Sequence, residues 1–228
     1  VSGVLVRDIP AVIKKHYTAP ASVMSIPDYA ARNYTLMRLA LQHRDVTLWA
    51  TANPSTILEL LRTLDAYKEE MIKDIELGTI CDDFDIPFEI RDELDAYICP
   101  RPKRAKELRR IVEEKGKLEP KDFWPWLQYL STWKCGNTKI YMDKYMDQFN
   151  WDKTFYQELG YIATECRFGF SLDDTNESVL FPHFHYYEFV EESQLNKPHK
   201  QFLQIYELEQ GKRYCAYVTT YSGLFRYN

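Results

Sequence analysis

The tightest constraint on this chain is a short stretch of punctuation, Asn53-Pro54-Ser55-Thr56, lodged between the apolar run Val46 to Ala50 and a long apolar face at helical spacing. An asparagine oxygen accepts from a free N–H at a helix start. Proline suits the first helical position because its missing N–H has no partner there to lose. Ile57, Leu60, Leu64, Tyr67, Met71 and Ile75 then fall on one side, which predicts a single helix ending at Gly78. A strand feeding a helix in this way needs other layers to bury both, so the rest of the chain must supply them.

Those layers are legible on either side. Ala30, Tyr34, Met37 and Leu41 after Pro27 predict an earlier helix that ends near Arg44. A proline-marked loop over 81–102 surrounds a short helix at about 89–97, and 103–115 predicts another helix closing at Gly116. From Phe123 onward short strands are expected at 127–133, 155–161, 179–190, 202–208 and 213–221, with a helix over 141–149. Glu209-Gln210-Gly211-Lys212 is expected to turn a hairpin between the last two strands. The predicted fold class is therefore mixed α/β, with a mainly helical part over about 1–120 and a mixed-sheet part over about 121–228.

Composition removes several functions. A net charge of -5 and a pI near 5.6 give no overall drive toward nucleic acid or an anionic membrane. No run approaches the roughly 18 apolar residues that cross a bilayer. The five cysteines are odd in number and contain no CxxC pair, which argues against a disulfide framework or a structural zinc and suits a cytoplasmic protein. The start at Val1 without methionine and the stop at Tyr227-Asn228 lead us to expect a piece of a longer polypeptide.

The segment richest in chemistry runs from Glu158 to Gly169 (ELGYIATECRFG), where a strand enters a small-residue turn holding a hydroxyl and a carboxylate. Backbone N–H groups and Thr164 suit a phosphate, Glu165 suits a hard cation such as magnesium, and Tyr161 suits stacking on a purine. Taken alone the string is weak, and a strand end with a solvated glutamate explains it as well.

Several segments together say more. VTLWATANPSTILELL, PKDFWPWLQYLSTW, GYIATECRFG, VLFPHFHYYEFV and YVTTYSGLFRY occur in the order seen in the auxin-responsive acyl acid amido synthetases, members of the acyl-adenylating superfamily, and the chain resembles that family over almost its whole length. The Tyr-Ile-Ala-Thr-Glu string is similar to the family's Tyr-small-Ser-Ser-Glu nucleotide motif, and the last segment to its late motif. The resemblance implies ATP- and Mg²⁺-dependent activation of a carboxylic acid to an acyl-adenylate, then attack by an amine or amino acid to form an amide.

On that resemblance Thr164 and Glu165 are the catalytic pair, with Glu165 holding Mg²⁺. Gly160, Tyr161, Ile162, Ala163, Thr164, Glu165 and Tyr187 border the nucleotide, and Thr51, Ala52, Asn53 and Ser55 line the acyl pocket. Apolar and aromatic residues nearby favour an apolar or aromatic acid. The chain departs from the pattern: among other differences it holds no Gly-rich phosphate loop, and Asn228 stands where the late motif has an arginine before its ribose-binding Gly-Asp. Those departures motivate an alternative, a non-enzymatic small-acid binding or interaction module.

Weaker candidates complete the set. His183 and His185, two apart on the predicted 179–190 strand, face one way and with Glu188 or His199 form a conceivable metal site. The basic run from Arg101 to Arg110 is more simply a solvated helix face than a phosphate or RNA patch. Cys166 has no basic partner in sequence, and Trp124, Trp126, Trp133 and Trp151 are expected as core or interface anchors rather than stacking platforms.

Overall fold

A computed structural model describes residues 10–221 and 225–227. The fold is mixed α/β, and the chain divides after Glu158 into two compact units, each with its own core.

In the first unit, helices α1 (Tyr29–Leu41), α2 (Pro54–Ala66), α3 (Lys68–Leu77), α4 (Phe88–Leu94) and α5 (Pro102–Lys115) accompany a sheet of β1 (Leu48–Ala50), β2 (Tyr129–Thr132) and β3 (Phe155–Glu158). The sheet order is β1-β2-β3 and both pairings are parallel. A parallel return needs a long crossover, which the helices between β1 and β2 supply. Leu48, Tyr129 and Phe155 align in register on one face, where Leu48 and Tyr129 are exposed. Trp49, Leu130 and Tyr156 point to the other face and join the core, where Trp49 meets Trp124 edge-to-face at 5.3 Å.

The helices are joined by a buried polar knot. Asp74 of α3 accepts from the Tyr34 hydroxyl of α1 at 2.6 Å, the Thr79 hydroxyl at 2.7 Å and the Cys81 N–H at 2.7 Å. Arg38, fully buried, donates to the Asp74 and Thr79 carbonyls and to Gln42 Oε1. Burial first, then the Asp74 carboxylate, drives the Tyr34 hydroxyl far above its ordinary range, while burial lowers Arg38 to about 10. Gly78 ends α3 at φ +71°, and a Cβ there would lie 2.5 Å from Pro100 N.

Several sequence expectations need correcting. The long helix over 57–75 is two helices, because Tyr67 leaves helical geometry (φ −122°, ψ 24°) to pack edge-to-face on Tyr34 and Phe84. The Lys68 amine then donates to the Asp65 carbonyl at the break. The helix over 141–149 shrinks to one turn, Lys139–Met142, and a 3-10 turn, Met146–Gln148, since Tyr145 between them bends inward and is fully buried. In the basic run, Arg104 is not solvated. It is buried and donates to the Leu41 and Phe123 carbonyls and to Glu107. Trp126 is 57% exposed and anchors no core.

The second unit pairs β4 (Gly169–Phe170) with β5 (Val179–Leu180), and β6 (His185–Glu191) with β7 (Tyr214–Thr220) and β8 (Arg226–Tyr227), all antiparallel. Its core is Phe168, Tyr187, Phe189 and Val218. The single strand expected at 179–190 is interrupted because Pro182 has no N–H and the chain turns, with Phe184 N–H donating to the Phe181 carbonyl. The strand expected at 202–208 is one bridge, Phe189↔Leu203, followed by a 3-10 turn in which Gln204 and Glu207 cap each other. The turn at 209–212 therefore joins no hairpin, and β7 pairs with β6 instead. Ser222, Gly223, Leu224 and Asn228 of the expected late motif lie outside the described residues.

Candidate functional site

Residues 160–170 make a tight hairpin. Ile162 bridges Arg167, and the Ala163 N–H donates to the Cys166 carbonyl at 2.9 Å, which leaves Thr164 and Glu165 as the two tip residues. Both side chains are exposed and make no hydrogen bond or ion pair among the described residues. The base is tight: Gly160 takes φ +96°, and a Cβ there would sit 2.6 Å from the Gly169 oxygen. At Gly169 a Cβ would sit 2.3 Å from the Val179 oxygen. Arg167 braces the two arms by donating to the Leu159 carbonyl at 2.8 Å.

An aromatic column supports the hairpin. Tyr161, 52% exposed, stacks on Phe168 at 4.3 Å and 18°, so one ring face is taken and the other is open. Phe168 rests in turn on Tyr187 at 5.9 Å. Tyr187 is 2% exposed and its hydroxyl donates to the Phe168 carbonyl at 3.1 Å. Burial pushes that hydroxyl up to about 12. Sequence reasoning placed Tyr187 against a ligand, whereas the geometry puts it under the hairpin, where it holds Phe168. Cys166 is poorly suited to be a nucleophile, because burial and then the Glu165 charge raise its thiol.

The other predicted residues lie in the first unit, at the C-terminal ends of the parallel strands, where α/β sheets place ligands. The Thr51–Ser55 turn follows β1 and is laced to β2: Thr51 N–H donates to the Ser131 carbonyl at 3.0 Å, and the Ala52 carbonyl accepts from Trp133 N–H and Thr132 Oγ1. Asn53 caps α2 by accepting from Ser55 N–H at 3.0 Å, and its carbonyl accepts from Thr56 N–H. The Ser55 and Thr56 amides at the start of α2 are thus already used, and the turn offers a ligand the hydroxyls of half-buried Thr51 and Ser55 instead.

Sequence reasoning missed the ends of β2 and β3. Lys134 N–H donates to Glu158 Oε2 at 2.6 Å and Lys134 Nζ to the Tyr156 carbonyl at 3.1 Å. Lys134, a charged residue directly after the strand expected at 127–133, was an available signal for this edge, whereas Glu158 falls inside the strand expected at 155–161 and gave none. The histidine metal site is not formed: His183 lies in the turn before β6, not beside His185 on a strand, and no group of three ligating side chains occurs among the described residues. Glu165 alone fits the one or two protein carboxylates that a nucleotide-bound magnesium takes, its other ligands being water and phosphate. Among the described residues, no helix is long and apolar enough to cross a membrane.

Residues 1–153 match the GH3 family N-terminal domain and 178–228 the GH3 family central domain. A probable indole-3-acetic acid-amido synthetase of Oryza sativa subsp. japonica, GH3.6, is 26% identical over 92% of this chain and 45% of its own length. Indole-3-acetic acid-amido synthetase GH3.8 of Oryza sativa subsp. indica is 27% identical over 93% of this chain and 36% of its own. The solved GH3.15 acyl acid amido synthetase superposes with a TM-score of 0.74 at 20% identity, over 92% of this chain and 38% of that one. A second structure, AtGH3.15 in complex with 2,4-DB, gives 0.72 at 21% identity, over 88% and 35%. The chain spans less than half the length of these relatives.

Proposed function

The chain belongs to the GH3 family, and from that membership we propose that it forms part of the nucleotide and acyl walls of an ATP-dependent acyl acid amido synthetase. The observation that carries this reading is the hairpin tip, which presents Thr164 and Glu165 free of protein partners where the sequence resembles the family's nucleotide motif. A hydroxyl and a carboxylate side by side on a braced turn suit a phosphate and its accompanying cation.

In this function the Thr164 hydroxyl donates to an α-phosphate oxygen. The Glu165 carboxylate would hold magnesium as one hard ligand, and the ion would there supply positive charge to the phosphates; the acid carboxylate attacks the α-phosphorus and pyrophosphate leaves. The open face of Tyr161 receives the adenine, while Phe168 and Tyr187 keep that ring from tilting. The hydroxyls of Thr51 and Ser55 border the acid, and an aromatic acid of the kind in the relatives' names is the first to try. An amine or amino acid then attacks the adenylate, giving the amide and releasing AMP.

The test is acid- and Mg²⁺-dependent ATP–pyrophosphate exchange by the polypeptide that carries this chain. Glu165→Ala is expected to lower the exchange rate by about 100-fold or more while the protein stays folded. An unchanged rate removes Glu165 from the mechanism, and no exchange by the unsubstituted protein with any acid favours a binding module without chemistry.

A further inference from the structure

β8 is too short to hold itself in place. It meets β7 at two register pairs, Thr219↔Arg226 and Val218↔Tyr227, and the Thr220 N–H donates to the Phe225 carbonyl at 3.0 Å where the connection closes. The Arg226 side chain supplies what the ladder lacks. Its guanidinium carbon lies 4.1 Å from the centroid of Phe202 and 5.1 Å from that of Tyr217, two rings that meet edge-to-face at 5.2 Å. Beyond them its Nη2 meets Glu188 Oε2 on β6 at 2.9 Å.

Phe202 adjoins Leu203, which bridges Phe189, so one guanidinium ties four passes of the chain. A planar, delocalised cation stacks on rings and still donates along its edge, which a lysine ammonium cannot do. Glu188 already balances the charge, and its side chain is only 18% exposed. Arg226 is therefore poorly placed to capture an anion and well placed to hold backbone.

We propose that Arg226 is a positioning residue: through its stack on Phe202 and Tyr217 and its pair with Glu188, it fixes β8 and so sets Tyr227, within the late motif, before nucleotide binds. The nucleotide part rests on the adenylating function proposed above, whereas the clamp does not.

Two readouts test it. In this chain, Arg226→Gln and Glu188→Gln are each expected to speed amide hydrogen exchange at Tyr227 about tenfold while leaving Val190 in β6 unchanged. Arg226→Lys, which keeps the charge and loses the plane, is expected to fall between. In the polypeptide that carries the chain, the same substitutions are expected to raise KM for ATP about tenfold with kcat held within about threefold. Unchanged exchange in both glutamine variants overturns the clamp, and a fall in kcat at constant KM overturns the positioning role. If the unsubstituted polypeptide forms no adenylate, the proposed function fails and the nucleotide part with it, while exchange still decides the clamp.

Discussion

Replacing Asp74 by alanine is expected to be among the most damaging single changes in the first unit. The carboxylate accepts from three donors, the Tyr34 hydroxyl at 2.6 Å, the Thr79 hydroxyl at 2.7 Å and the Cys81 N–H at 2.7 Å, and Tyr34 is fully buried. Each orphaned donor costs about 1 to 3 kcal/mol. Buried Arg38 also loses its nearest anion, so the total is about 4 kcal/mol, in the range for breaking a buried charge pair. With a urea slope of about 2 kcal/mol per M, the midpoint followed by far-UV ellipticity should fall by about 2 M. The decisive measurement adds Tyr34→Phe to both backgrounds. In the native protein it removes a good hydrogen bond and should cost about 1 kcal/mol. In Asp74→Ala it removes an orphaned hydroxyl and should stabilise. A midpoint shift below about 0.5 M, or an equal cost for Tyr34→Phe in both backgrounds, refutes the account.

Two further outcomes are expected. Gly78→Ala forces a side chain into a left-handed residue 2.5 Å from Pro100 N, and should cost about 3 kcal/mol in the same urea titration. Burial, then the Arg101 charge, lowers the His43 imidazole below its ordinary 6.5. The unfolded chain therefore takes up that proton first as the solution is acidified, so stability present above 6.5 is lost as pH falls through the folded value. His43→Gln should flatten the stability–pH curve just below 6.5, and an unaltered slope there would show that His43 does not set it.

Local signals carried much of the first unit. Asn53-Pro54 sets the start of α2, and apolar spacing marks α1 and α5, because these choices are made within a few residues by caps and periodicity. What was missed depends on distant partners. Nothing near Tyr67 announces that Tyr34 and Phe84 will draw it out of the helix, and nothing near Arg104 announces that two far carbonyls will bury it. The same holds at the candidate site. The resemblance pointed to Thr164 and Glu165, but only packing shows that Tyr187 lies beneath the hairpin, with its hydroxyl on the Phe168 carbonyl.

At Gly160 and Gly169 the backbones pass so close that only hydrogen fits between them. Inheritance has little freedom there: a lineage can repaint the hairpin tip, exchanging one hydroxyl residue for another, but it cannot widen the crossing without moving three segments at once. In relatives too diverged to align by eye, a pair of glycines some nine positions apart, flanking a hydroxyl residue and an acid, should therefore outlast the aromatic column as the mark by which this turn is traced.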